Sequence, residues 1–347
     1  MSFRSWATIV TIILLALVVF FGWHQITQAF GLLGSVNLWI LAIMIPLQFF
    51  SYYSVGGMIF SYLRSKGNLE NTSRWTMARM ALELNFVNHI LPSGGVAGFS
   101  YLGWVLHRHG VSSGRSTMAQ IVRFVLSFAS FLGLLIIACI FLAFDNKINK
   151  TIVIASGSLI VLAVIGVASL VYLIGTHKRL LALSGWITKI SNKIISKFTR
   201  GKKHNVVKLL VIEKFFTEVH QDYLEIKRET KILKRPFIWS IVFNLSDLAL
   251  ILIAFLALGY WVNPAVLLIA FGVSATAGLL SATPGGAGVY EAIMIAFLVS
   301  AGVPAEIAIA GTLLARVALI VGTILFGYIF YQLTISKYGK RTNSTNI

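Results

Sequence analysis

Apolar residues run along this chain in long unbroken stretches, without the one-sided spacing of a soluble helix or the alternation of a half-buried strand. Polar residues gather between the stretches. Six of them reach the roughly 20 residues that a helix needs to cross a bilayer's hydrocarbon: Trp6–Trp23, Leu38–Leu63, Thr117–Phe144, Thr151–Gly175, Phe237–Gly259 and Ala305–Leu333. No A-x-A-like cleavage site follows the first, which reads as a retained anchor rather than a signal peptide. Two further apolar regions, 77–106 and 265–301, are broken by Pro92-Ser93-Gly94-Gly95 and by Pro284-Gly285-Gly286-Ala287-Gly288. The break leaves arms of about 15 and 11 residues in the first region, each too short to span. Both regions are predicted to be re-entrant helical hairpins.

The predicted class is all-α integral membrane, with six transmembrane helices plus two re-entrant hairpins. The order is span, span, hairpin, span, and then the same again. Residues 1–144 form one membrane repeat and 151–333 a second, the latter interrupted by a loop at 177–235 and followed by a tail at 334–347. Three crossings per half would turn the second half upside down relative to the first. The breaks also keep register: Pro92 to Arg123 is 31 residues and Pro284 to Arg316 is 32. Inverted repeats whose broken helices meet near mid-membrane are the architecture of secondary transporters.

Composition agrees with a membrane solvent. The chain is 57% hydrophobic and 12% charged, where a soluble domain carries about 25% charged residues. The net charge of +18 raises nucleic acid as a partner, yet its distribution follows the positive-inside rule instead. Of the 29 Lys and Arg, 25 fall at one set of ends: the N-terminus, 64–79, Arg108, Arg115, 177–235 and the tail. That places both termini and the basic loop in the cytoplasm of a cell membrane. Within the loop, Lys178 to Lys203 holds eight basic residues and no acid. Leu183, Ile187, Ile190, Ile194 and Phe198 recur there at helical spacing, a pattern suited to an anionic leaflet. From Val206 onward acids mix with bases, as in a solvated helix or helical pair. The lone Cys139 excludes a disulfide framework.

The breaks carry the candidate chemistry. Pro92 and Pro284 mark them, and Gly94, Gly95, Gly98, Gly285, Gly286 and Gly288 let backbone amides face a ligand. A helix starting at such a turn presents free N–H groups and a positive dipole end, which favours a phosphate. Arg123 and Arg316 each offer a planar fork for the same group. Charge inside a bilayer costs about 2.5–3.5 kcal/mol on insertion scales, so such residues face the protein interior and mark pathways. Asp247, with Asn244 one turn earlier, and Glu291 are candidate proton or cation carriers, and Glu291 is the expected partner of Arg316. Structural ion pairs fixing helix register are the competing reading. Asn85 and His89, at i and i+4 with Asn88 between, are candidates for a polar groove, or for ordinary interhelical hydrogen bonding. No phosphate loop, HExxH or GxSxG motif occurs, and no cofactor or metal is expected.

The two glycine motifs, Leu91-Pro92-Ser93-Gly94-Gly95-Val96-Ala97-Gly98 and Thr283-Pro284-Gly285-Gly286-Ala287-Gly288-Val289-Tyr290-Glu291-Ala292, with Arg123 and Arg316 after them, resemble the lysylphosphatidylglycerol synthase transmembrane-region family. That family includes the flippase portion of the bacterial synthase and stand-alone proteins of bacteria and archaea, some linked to polyprenyl-lipid glycosylation. The resemblance implies movement of a charged or glycosylated lipid headgroup between leaflets. The full synthase adds a cytosolic aminoacyl-transferase domain, and only a short tail follows Leu333 here, so synthase activity is not expected. The expected partners are lipids with anionic headgroups and, in addition, a lipid-modifying enzyme. A membrane-embedded enzyme acting through Glu291, Asp247 or His89, and a scaffold docking a soluble enzyme at 177–235, are the alternatives.

Overall fold

A computed structural model describes residues 20, 27, 34, 36–90, 96–144, 150–198, 208–281 and 286–338. The predicted first span, the motif residues Pro92, Gly94, Gly95, Pro284 and Gly285, and the end of the tail lie outside the described residues. Every regular element among those described is helical. Asn37 caps α1 (Leu38–Ala42) by accepting from the N–H groups of Trp39 and Ile40, and α2 (Met44–Ser65) continues it. Next come α3 (Arg74–Ile90), α4 (Val96–His107), α5 (Ser113–Phe144) and α6 (Lys150–Ile174). The loop holds α7 (His177–Phe198), α8 (Leu209–Arg228) and a 3-10 turn, Thr230–Leu233. The chain then forms α9 (Lys234–Ala257), α10 (Pro264–Leu280), α11 (Val289–Ser300) and α12 (Ala305–Tyr338).

Five of these units are long and apolar enough to cross a membrane: Leu38–Ser65, Ser113–Phe144, Lys150–Ile174, Thr230–Ala257 and Ala305–Tyr338. They coincide with five of the six predicted spans. The helices run past the apolar limits because intrahelical hydrogen bonding continues wherever no proline or glycine stops it. The helices flanking the two breaks match in length, at 17 and 12 residues in each half. At 1.5 Å per residue they are about 26 and 18 Å long, less than the roughly 30 Å hydrocarbon core.

Packing partners exchange between the halves. The most extensive contact is α2 on α9, while α3 lies on α12 as α10 lies on α5. Likewise α2·α5 corresponds to α9·α12, α2·α3 to α9·α10, α3·α4 to α10·α11, and α4·α5 to α11·α12. Helices in lipid gain little from the hydrophobic effect and associate through close fit. Here glycines seat aromatic rings from the facing helix: Gly57 under Trp239, Gly272 under Phe131, Gly311 under Phe255 and Gly327 under Phe86. Helix α9 is the most enclosed of the spans, with 44% of its apolar window buried, against 11% for α6. Thus α6 lines the periphery.

The loop helices α7 and α8 pack on each other, and α8 also rests on the start of α5. Its charges explain the register. Asp222, 3% exposed, accepts from Arg115 Nη2 at 2.9 Å and from Tyr62 Oη at 3.2 Å. Glu218 accepts from the Gly114 N–H at 3.1 Å, and Lys66 Nζ donates to Glu225 at 2.6 Å. The mixed-charge half of the loop, expected as a solvated helix or helical pair, is a helix packed on α7 whose acids also clamp the helix ends.

Two outcomes follow from this packing. Gly311→Leu should lower stability by about 1–3 kcal/mol through overpacking against Phe255, read by thermal unfolding in detergent. The bond from Lys66 holds the Glu225 carboxyl below its ordinary value. Since the folded value is the lower one, this stabilisation is present at neutral pH and is lost as pH falls from about 4.3 through the depressed value. Amide exchange in α8 should accelerate over that window, and Lys66→Met should weaken the dependence, Arg115 and Arg228 retaining the remainder.

Candidate functional site: charges between the two breaks

Arg316 is the twelfth residue of α12 and Arg123 the eleventh of α5, so each half sets one arginine at an equivalent depth in its last helix. Their surroundings differ. Arg316 Nε stands 2.9 Å from Glu291 Oε1, with side-chain exposures of only 12% and 7%. Its guanidinium also lies 4.9 Å from the centre of the Tyr290 ring.

Glu291 has a second duty. The chain returns from the break through Gly286 (φ 76°) and Gly288 (φ 86°), conformations that L side chains resist. A Cβ on Gly286 would stand 2.7 Å from Gly278 Cα, so the turn also needs glycine for close approach. Gly288 is the N-cap of α11, and its N–H donates to Glu291 Oε2 at 2.6 Å. One carboxylate therefore satisfies a helix start with one oxygen and a buried cation with the other.

Further polar groups from the first half face this pair. His89, in the last turn of α3, lies within electrostatic reach of Arg316. Its Nδ1 is 2.8 Å from the Asn85 carbonyl oxygen, while Asn85 itself turns back to donate to the Ala81 carbonyl. Tyr52 feels the charges of both Arg316 and Asp247, and Tyr290 feels them too. Asp247 accepts from Ser51 Oγ at 2.6 Å. A hydroxyl chain runs beside it: Gln48 Nε2 donates to Tyr52 Oη at 2.8 Å, Tyr52 Oη meets Thr323 Oγ1, and Thr323 Oγ1 donates to the Leu319 carbonyl at 2.7 Å. The structure thus brings Arg316, Glu291, Asp247 and His89 into one neighbourhood, with Tyr52, Tyr290 and Thr323, which the sequence does not single out. Hydroxyls are frequent at helix contacts in membranes, and only their convergence on α12 distinguishes these.

Asn244 does not join Asp247. It donates to the Ser127 carbonyl at 3.0 Å and to Ser130 Oγ at 2.7 Å, tying α9 to α5 while Asp247 ties it to α2. Glu83, fully buried, accepts from Thr334 Oγ1 at 2.6 Å and Tyr101 Oη at 2.8 Å, and pairs with Arg79 at 3.2 Å. Its acceptor oxygens are satisfied, which marks it as a structural group.

The first-half site is unneutralised. Arg123 is 8% exposed, and its guanidinium lies 4.3 Å from the centre of the Phe124 ring. That ring stacks on Phe99 at 5.6 Å, near the start of α4. No carboxylate pairs with Arg123 among the described residues, and its Nε has no hydrogen-bond partner. Asn88 Oδ1 and Gln120 Oε1 are also buried without partners. Asn88 abuts Gly98, and Gln120 Nε2 donates to the Phe99 carbonyl at 3.2 Å. Three unsatisfied polar atoms therefore surround the Gly98–Phe99 turn of α4. Buried polar groups are nearly always paired, so this cluster is chemically incomplete. Among the described residues no group of three His, Cys, Asp or Glu is placed to hold a metal ion.

The profile of the family described as "Lysylphosphatidylglycerol synthase TM region" matches residues 6–327. The chain is also similar to the UPF0104 membrane protein MJ1595 of Methanocaldococcus jannaschii. The two are 27% identical over 246 residues, 70% of each chain.

Variants at Glu291 separate its two duties. Glu291→Gln keeps an acceptor for Gly288 but strands Arg316, and should cost about 3–5 kcal/mol as a broken buried pair. Glu291→Ala should cost about 1 kcal/mol more through the lost cap. Adding Arg316→Met to Glu291→Gln should recover most of the loss, measured by denaturant unfolding in micelles.

Proposed function

The chain belongs to the lysylphosphatidylglycerol synthase TM region family, and from that premise we propose that it moves a phosphate-bearing lipid between leaflets. It is a multi-pass membrane protein, with five helices long and apolar enough to cross. The observation that carries the reading is Arg123, a buried cation inside such a helix with no carboxylate beside it among the described residues. A buried charge left uncompensated is costly, and a passing phosphate would supply the missing anion. Asn88 and Gln120 would hold the headgroup's hydroxyl or amine donors.

In this reading the second half offers Arg316, which Glu291 holds until a phosphate competes for it. The headgroup would pass between the two breaks, held by amides at Gly94, Gly95, Gly98, Gly285 and Gly286, whereas the Gly288 N–H is already taken by Glu291. Its hydrocarbon tails would stay in the bilayer. The helix pairs of 17 and 12 residues would be re-entrant hairpins entering from opposite faces. Rocking one repeat against the other would alternate access. Exchange of packing partners between the halves supports that symmetry. Asp247 and Glu291 are the groups that would couple the cycle to protons. In this reading the excess of Lys and Arg at these ends supports a cytoplasmic side for both termini and α7–α8, and the membrane would be the cell membrane.

The test is headgroup movement in reconstituted vesicles carrying a labelled anionic phospholipid. Arg123→Ala and Arg316→Ala should each slow movement by about tenfold or more, since a charge-assisted hydrogen bond contributes roughly 1.5–3 kcal/mol. Unchanged rates in both variants would sink the assignment.

A further inference from the structure

A second site lies away from the intramembrane arginines. A cavity of about 600 Å³ opens where α2 ends, α3 begins and the 3-10 turn leads into α9. Arg64, Arg74, Lys231, Lys234 and Arg235 line it, against the single carboxylate of Glu229. Among the described residues none of these five cations is in an ion pair, whereas nearby Lys66, Arg79 and Arg115 all are. Arg64 donates through Nη2 to the Thr72 carbonyl at 2.7 Å, and its Nε is buried with no partner. Helix α9 starts at this cavity with no side-chain cap.

The other wall is apolar. Trp239 lies flat on Gly57, where even a methyl group would collide with the indole. Its ring meets Tyr53 edge-on at 5.6 Å and lies 6.5 Å from Phe50. Tyr53 and Trp239 line the cavity, and Phe50, about one turn before Tyr53 on α2, is 44% exposed outside it. The cavity therefore grades from cations to aromatic rings, and the apolar surface of the α2 span continues beyond it. A free anion would use only the first part of that gradient. An amphiphile with a phosphate beside its acyl or isoprenoid chains uses all of it, and the volume suits a ligand of headgroup size.

We propose that this cavity binds the phosphate headgroup of an anionic membrane lipid, with Lys231, Lys234, Arg235 and Arg64 on the phosphate and Trp239 and Tyr53 against the first methylenes. Binding stands on the cavity alone. Its meaning as the loading position for transport rests on the translocase reading above.

The experiment titrates full-length protein in neutral detergent with short-chain phosphatidylglycerol, the matching phosphatidylcholine, and inorganic phosphate, following tryptophan fluorescence and thermal stability. Phosphatidylglycerol should bind tightest. Lys231→Gln, Lys234→Gln and Arg235→Gln together should weaken it by about a hundredfold, each cation near a lipid surface being worth roughly fivefold. All three side chains are exposed, so the variant should fold. Arginine at 231 and 234 should preserve binding. Unchanged affinity in the triple glutamine variant would overturn the proposal, as would equal binding of phosphatidylcholine. Inorganic phosphate binding as tightly as phosphatidylglycerol would overturn the lipid assignment in favour of a free-anion site. Wild-type protein that binds the lipid yet moves none would support this cavity and remove only the translocase reading.

Discussion

A cation inside hydrocarbon must be answered by something, and the answer shapes the second half of this protein. Arg316 is met by Glu291, and Glu291 can meet it only because α11 starts where it does. That start depends on Gly288 at positive φ and on the contact of Gly286 with Gly278. Replacing any of these moves the carboxylate relative to the guanidinium, and the desolvation cost of both charges then returns. The glycine-rich turn, the helix cap and the ion pair therefore behave as one unit. Tyr290 and the Tyr52–Thr323 chain close round it with groups that need no charge.

The first half repeats the arrangement without the carboxylate. Arg123 occupies the matching depth but rests on Phe124, and ring faces attract cations without neutralising them. The difference is visible in the sequences after each break. Glu291 is the third residue of α11, whereas the third residue of α4 is Gly98, which carries no side chain. One half has its anion built in, and among the described residues the other has none.

Much of this was legible in the chain. Long apolar runs fix spans because hydrocarbon thickness sets helix length, and the structure extends them by only a few residues at charged ends. The Arg316–Glu291 pair was legible from the nearly equal offsets of the two arginines and the position of Glu291 just past the second break. The unpaired acceptors of Asn88 and Gln120 were not, because an amide in a membrane helix usually finds a partner and only the folded contacts reveal that these do not. Nor was the basic cavity legible: Arg64, Arg74 and Lys231 enter a charge count as topology signals, and their convergence needs α2, α3 and α9 in place. Asn244 and Asp247 looked like neighbours on one face, but a three-residue offset on a crowded helix aimed them at different partners.

Among the extensive contacts between described helices, that of α2 with α9 has a property of its own: exchanging the halves maps it onto itself. If a pseudo-twofold axis relates the halves, such a pair lies on it. The Ser51–Asp247 hydrogen bond and the Trp239 seat on Gly57 both cross this line. Groups on a rotation axis move least when the two sides swing, so this seam would act as the fulcrum of any see-saw between the halves. Its stiffness, set by one serine, one aspartate and one glycine, would then govern how fast the see-saw can tip.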